Sequence, residues 1–299
     1  MVALGFVVPR VGSCRVVAGR SLCLDVDFGR IVNLGRTFFP KQNDMNVGLV
    51  TGDGGMKERS MVKVAVIGGS GVLGLELFAG LKDRRVKTEY GPVTVAGGEG
   101  LVFLQRHGDP PLPPHRIDHR ANLKALAELG CKTVLALNST GSLKPDLRPG
   151  SLVVPDDYFN PWAIPTFFDD RLEFTTPGLS QRVRQAILAA AAAAEIEIVA
   201  GGTYIQTTGP RFETRAEIRV LSGWGGLVGM TMAAEATLAK ELGLEYAALC
   251  LVDNYANGVC EQTVSFAEIE KAQRQNSFRL ARLLPAVLER LRPVAAGKD

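Results

Sequence analysis

Four short apolar runs in this chain end on residues that suit an oxyanion. VKVAVI is followed by GGSG, which brings Ser70. LVFLQRHG ends in Arg106 and His107, a fixed cation beside a titratable donor. TVLALNSTGSL brings Asn138, Ser139, Thr140 and Gly141, and LVGMT brings Met230 and Thr231. An arginine gives paired charge-assisted hydrogen bonds to an oxyanion, and hydroxyls satisfy its remaining oxygens. A Gly-rich turn adds outward-pointing backbone N–H groups. Each Ser or Thr alone reads as a helix N-cap. Four such run ends, one with an arginine, describe a pocket for free phosphate.

A second constellation lies in QTTGPRFETRAE, residues 206–217. Thr214 and Glu217 form a T-x-x-E capping box, so Thr214 starts a helix that runs through Ala216 and Ile218. Gly209-Pro210 marks a turn just before it. Phe212 and Glu213 therefore sit on a short constrained loop. One offers a ring face and the other an acceptor, and the cap needs neither. The plainer reading is an apolar staple beside a solvated charge.

The elements that must position these residues alternate. Strand-like runs fall at 62–67, 101–105, 133–137, 151–154, 203–206, 227–228 and 246–252. Helical periods fall at 72–81, 116–129, 180–194, 216–222, 233–242 and 266–291. The last keeps an apolar stripe through Leu280, Leu283, Leu284, Val287, Leu288 and Leu291, with Ser265 and Glu268 as its capping box. Alternation of this kind predicts a single α/β domain around a mixed, largely parallel sheet with helices on both faces. Ligands of such folds sit at the carboxyl ends of strands, where the hydroxyls and Arg106 are.

One motif points elsewhere. Gly69, Gly71 and Gly74 spell G-x-G-x-x-G, and Glu89 follows 20 residues after the first glycine, as a dinucleotide fingerprint asks. That keeps a nicotinamide-dependent oxidoreductase as a rival. It requires Glu89 at a strand end, whereas Gly91-Pro92 reads as a turn directly after it.

Composition narrows the classes. The chain has 299 residues, 46% hydrophobic and 22% charged, with a formal net charge of +3 spread without a basic block. Neither nucleic acid nor a membrane surface is an expected partner. Five cysteines without a CxxC pattern suggest reduced thiols and a cytoplasmic setting, with Cys131 and Cys250 in the core. His115 and His119 are spaced for one helical face, but no third ligand follows, so no metal is expected. Residues 1–60 carry arginines at 10, 15, 20, 30 and 36 and no acidic residue before Asp25. They read as an extension that is disordered or not translated. The domain is expected at 61–292 and a short tail at 293–299.

The blocks GGSG, QRHG, NSTGSL, TTGPRFETRAE, GMTMAAEATLAKELG and DNY stand in one order over residues 62–291. In this they resemble the trimeric purine nucleoside phosphorylases, and specifically the methylthioadenosine phosphorylase branch. The resemblance implies a homotrimer or a dimer of trimers, and a reaction in which a nucleoside and phosphate give free base and sugar 1-phosphate. It implies no metal or organic cofactor, phosphate being a co-substrate. Carried over by position, Ser70, Arg106, His107, Asn138, Ser139 and Thr231 contact phosphate. Met230 lies under the ribose and Phe212 packs on the purine. Asn254, Glu213 and His107 are the expected catalytic residues, and Tyr255 and Ala256 complete the base site.

Two departures bear on the substrate. Adenine-specific members carry a small polar residue after that phenylalanine and D-Y-D in the later strand. Here the places read Glu213 and Asn254-Tyr255-Ala256. A 6-oxopurine has a proton on N1 for a carboxylate to accept, while adenine presents a bare lone pair there. The Asn254 amide can serve O6 and N7 together, although an asparagine after a strand also forms turns. The expected substrates are inosine, guanosine or methylthioinosine, with methylthioadenosine as the alternative. Near the sugar's 5′ substituent the resemblance places Val264 and Phe266, where no histidine stands to bond a 5′-hydroxyl; Phe266 suits a methylthio group, and otherwise reads as helix core.

Overall fold

The computed structural model describes residues 63–69, 72, 75–98, 100–162, 164–261 and 266–292. The expectations for residues 1–60, Ser70, Gly71, Gly74, Val264, the Ser265 cap, the Phe266 side chain and residues 293–299 lie outside them. All described residues belong to one compact unit, within Lys57–Asp299.

The sheet is built on three apolar strands, β1 (Lys63–Gly68), β5 (Cys131–Ser142) and β11 (Glu245–Tyr255). β5 runs parallel to both others, pairing β1 along its first half and β11 along nearly its whole length. Both faces of these strands are covered, which is why they read as continuous apolar runs rather than alternating ones. Successive residues divide between two cores. Ala65, Ile67, Val134, Ala136, Ala248 and Cys250 pack toward α1 (His119–Glu128) and α4 (Met232–Glu241). Val64, Val66, Leu135, Leu137, Ala247 and Leu249 pack toward α2 (Gln181–Ala193) and α5 (Phe266–Leu291). The α5 stripe is buried as its spacing predicts, Leu280 through Leu291 being at most 6% exposed.

Outward from β1 lie β4 (Leu101–Gln105), β3 (Gly91–Gly97) and β2 (Lys82–Thr88). On the other side stand β10 (Leu227–Gly229), β9 (Thr203–Gln206) and β7 (Asp157–Phe159), while β6 (Leu152–Val154) pairs β11 and the two-residue β8 (Val199–Ala200). Among the described residues, six strand pairings are parallel and four antiparallel. This is the expected mixed, largely parallel sheet with helices on both faces.

Several boundaries differ from the sequence expectation. β2 and β3 form a hairpin that periodicity does not reveal, because β2 is a charged edge strand with only Val86 buried. Gly91 opens β3 at φ +127°, and the turn lies one step earlier, at Glu89-Tyr90. The expected helix over 72–81 is represented, among the described residues, by 3₁₀ structure alone, at Val72 and at Glu76–Phe78. α1 starts at His119, not Arg116, because Asp118 caps it by accepting from Ala121 N at 2.9 Å. His115 stays in a separate 3₁₀ turn, so the two histidines do not share a helical face.

Candidate active site

A cavity of about 320 Å³ opens where β1, β4, β5, β10 and β11 end or bend. One end is lined by Gly69, Arg106, His107, Ser139 and Thr231, the other by Phe212, Glu213, Asn254, Ala256 and Asn257, with Met230 on the wall as well. Two residues of α5, Ile269 and Gln273, add a further wall.

Arg106 follows β4 directly, and its backbone N–H bonds Gly68 O of β1 at 2.8 Å. Its side chain is buried against an unforeseen partner. Nε and Nη2 donate to the two oxygens of Glu235 at 2.5 and 3.1 Å, and Nη1 donates to Leu137 O at 2.9 Å. Burial lowers the arginine's pKa, but Glu235 more than offsets this and the net shift is upward. Two guanidinium N–H groups are left over from these bonds. The Glu235 carboxylate also accepts from Tyr246 Oη at 2.8 Å and lies 4.0 Å from His119 Nδ1. Arg106 is thus fixed in one orientation with much of its charge already balanced.

His107 Nδ1 sits 2.7 Å from Leu112 O. With the proton on Nδ1, neutral His107 presents Nε2 as an acceptor. Ser139, Thr140 and Gly141 were expected past the end of a strand. They lie inside β5, because β11 and then β10 carry the pairing on to Ser142. Asn138 does not line the cavity. Its buried amide donates to Thr231 Oγ1 at 3.0 Å, placing it behind the threonine.

Thr231 occupies the N-cap position of α4 without making a side-chain cap. Other groups satisfy that helix start. Tyr204 Oη accepts from Thr231 N and Met232 N at 3.2 and 3.3 Å, and Gln206 Oε1 accepts from Ala233 N and Ala234 N at 2.8 and 3.1 Å. The α4 N-terminus therefore has little backbone donation left, and the Thr231 hydroxyl proton is free to point into the cavity. This favours the ligand role over the cap.

At the other end, the loop before α3 (Arg215–Leu221) carries both expected residues. The capping box is present in both directions: Glu217 N bonds Thr214 Oγ1 at 3.2 Å, and Thr214 N bonds Glu217 Oε2 at 2.7 Å. Arg211 pairs with Glu217 through both oxygens, at 2.8 and 2.7 Å. Phe212 is 48% exposed, whereas Glu213 is only 7% exposed. Glu213 Oε1 accepts from Thr207 Oγ1 at 2.5 Å, and Oε2 accepts from no described residue. Asn254 Nδ2 donates to Tyr255 O at 2.7 Å, leaving its second N–H and Oδ1. Ala256 is buried on the cavity wall. Tyr255 does not line the cavity; its hydroxyl donates to Pro145 O at 3.1 Å on the outer side.

The dinucleotide rival does not fit this geometry. Glu89 occupies an exposed hairpin turn, pairs with Lys124 at 3.1 Å and does not line the cavity.

Residues 63–289 match the family model described as the phosphorylase superfamily. The chain belongs to that family. It is 34% identical over 234 residues to the "Probable 6-oxopurine nucleoside phosphorylase" of Archaeoglobus fulgidus, covering 76% of this chain and 96% of the relative. It is 37% identical over 215 residues to the "Probable S-methyl-5′-thioinosine phosphorylase" of Methanocaldococcus jannaschii, covering 69% and 84%. Among solved structures, methylthioadenosine phosphorylase from Schistosoma mansoni in complex with adenine superposes with a TM-score of 0.69 at 29% identity, covering 77% of this chain and 92% of that one.

Sequence reasoning missed four residues that shape this phosphorylase site: Glu235, Thr207, Asp253 and Gln273. Glu235 had a visible signal, a lone carboxylate in the alanine-rich block MAAEATLAK, four residues after Thr231. Thr207 and Asp253 stand inside the blocks TTGPRFETRAE and DNY, but nothing there marks their roles, and Gln273 had no signal, since these roles depend on which loops and helices meet.

Proposed function

We propose that this chain is a purine nucleoside phosphorylase selective for 6-oxopurine nucleosides. It converts inosine, guanosine or methylthioinosine, with phosphate, to the free base and the corresponding sugar 1-phosphate. Glu213 carries the base assignment. It is a buried carboxylate whose Oε1 is held by Thr207 and whose Oε2 has no partner among the described residues. Such a group matches the N1–H of a 6-oxopurine and opposes the bare N1 of adenine. Asn254 beside it offers a donor to O6 or N7 and an acceptor on the same amide.

Cleavage of the glycosidic bond builds positive character on the sugar and negative charge on the departing base. Donors that meet the base charge only as it develops lower the barrier. Phosphate held by the two spare N–H groups of Arg106 and by Thr231 stabilises the sugar cation and then captures it at C1′; the Ser139 hydroxyl beside them gives its one proton to Asp253. Asn138 acts through Thr231, and His107 borders the same end. Met230 faces the sugar, and Phe212 gives the base a ring face at the open side. Nucleoside and phosphate are the partners this reading requires; it needs no metal or organic cofactor. A methylthioadenosine activity is the second reading, and the likeness to the Schistosoma mansoni enzyme favours it.

The assembly proposed is a homotrimer or a dimer of trimers in the cytoplasm, with residues 61–292 as the working domain. Large apolar side chains on its surface, Leu172 at 89%, Phe174 at 85% and Phe278 at 70% exposed, support an assembly that covers them.

A panel of inosine, guanosine, adenosine, methylthioadenosine and methylthioinosine, each with and without phosphate, tests the reaction. Turnover should require phosphate, and Arg106→Ala should raise the phosphate KM sharply and lower kcat. Equal turnover in buffer free of phosphate and arsenate would mean hydrolysis instead.

A further inference from the structure

Asp253 has no role toward the substrate in the account above, yet it stands in the cavity wall. It lies at the irregularity of β11 between Val252 and Asn254, where the pairing with β5 slips. Its side chain is 1% exposed and lines the cavity. Oδ2 accepts from Ser139 Oγ and from Gln273 Nε2, the latter at 3.2 Å. Oδ1 is equally buried and, among the described residues, has no partner. Burial raises the carboxyl's pKa, and the two donors pull it back. A buried carboxylate oxygen left unpaired costs far more than a bonded one gains, so such an atom calls for a donor that the protein itself does not supply.

The reaction restricts what that donor can be. Phosphate is chiefly an acceptor, and the N1–H of the base is matched by Glu213. Guanosine adds a 2-amino group, but the remaining donors common to all the proposed nucleosides are sugar hydroxyls. Phosphate must reach C1′ on the face opposite the base, and ribose carries O2′ and O3′ on that same face. Asp253 takes the proton of Ser139, which lines the cavity with Arg106 and Thr231, and is tied to α5 by Gln273, which sets it along this face of the sugar. We infer that Asp253 is a specificity residue that accepts a hydrogen bond from the 2′- or 3′-hydroxyl of the substrate, selecting ribosides over deoxyribosides. The inference rests on the phosphorolysis reading and extends it to the sugar.

Inosine, 2′-deoxyinosine, 3′-deoxyinosine and 5′-deoxyinosine, compared by kcat/KM in the wild type, Asp253→Asn and Asp253→Ala, form a cycle between side chain and hydroxyl. The wild type should favour inosine over one of the first two deoxy compounds by about 10-fold or more, as fits a hydrogen bond to a charged group. Asp253→Ala should shrink that ratio to within about twofold, the scatter of uncoupled sites, and Asp253→Asn should fall between. The 5′-deoxy ratio should not move. Calorimetric binding of ribose 1-phosphate and 2-deoxyribose 1-phosphate repeats the test without a base. Sugar phosphate binding that depends on Asp253, with no turnover of inosine, would sink the 6-oxopurine reading and leave this inference standing. Ratios that persist in Asp253→Ala, an effect confined to the 5′ position, or an equal loss on all four nucleosides in both variants would each overturn it.

Discussion

At the scale of single residues, Glu213 shows how one side chain can set base preference. Its burial keeps water from completing its hydrogen bonds, and Thr207 holds one oxygen, leaving the other for the proposed base. Facing adenine, that oxygen would oppose the N1 lone pair, a mismatch of roughly 1–3 kcal/mol for a buried group. A lost donor on the exocyclic position adds a similar amount, so discrimination of about 10²–10⁴ against 6-aminopurines is expected. Combining Glu213→Ser with Asn254→Asp should shift kcat/KM toward methylthioadenosine. The base assignment fails if the unmodified enzyme already cleaves methylthioadenosine faster than any 6-oxo nucleoside.

Among the elements, α3 matters more for where it starts than for what it buries. Its capping box fixes Thr214, and Glu213 is the residue just before, so the cap also anchors the carboxylate proposed to read the base. The Arg211–Glu217 pair reinforces it and, through a side-chain hydrogen bond, holds the Glu217 pKa at about 2. Both partners are solvent-exposed, so the cap itself dominates stability. Thr214→Ala should lower stability by about 1 kcal/mol, read as a shift in the urea midpoint. The nucleoside KM should rise while the phosphate KM holds, because α4 and β4 position the other end of the cavity separately. A rise in both constants would show that the two ends do not move independently.

For the whole molecule, the described sheet and its core clusters draw on residues from Lys63 onward. Every described cavity residue also comes from this part of the chain. A protein starting at Met61 should therefore fold, with thermal unfolding and turnover matching the full chain. An insoluble or inactive truncation would show that residues 1–60 are needed by the body.

The sequence by itself determined the α/β class, the buried face of α5, the α3 capping box and the gathering of Arg106, His107, Ser139 and Thr231 at the cavity. Those features are local: periodicity, capping chemistry and strand-end composition act over a few neighbouring residues. It also separated Glu213 from the cap, because the T-x-x-E pattern accounts for Thr214 and Glu217 alone. The β2–β3 hairpin was not legible, since a charged edge strand has no buried face to write a period. Only the tertiary structure paired Arg106 with Glu235, 129 positions apart, moved Asn138 behind Thr231 and turned Tyr255 away. It alone placed Asp253 between Ser139 and Gln273. A buried polar group takes whichever partner the packing of separate elements brings within reach, and no spacing along the chain records that choice.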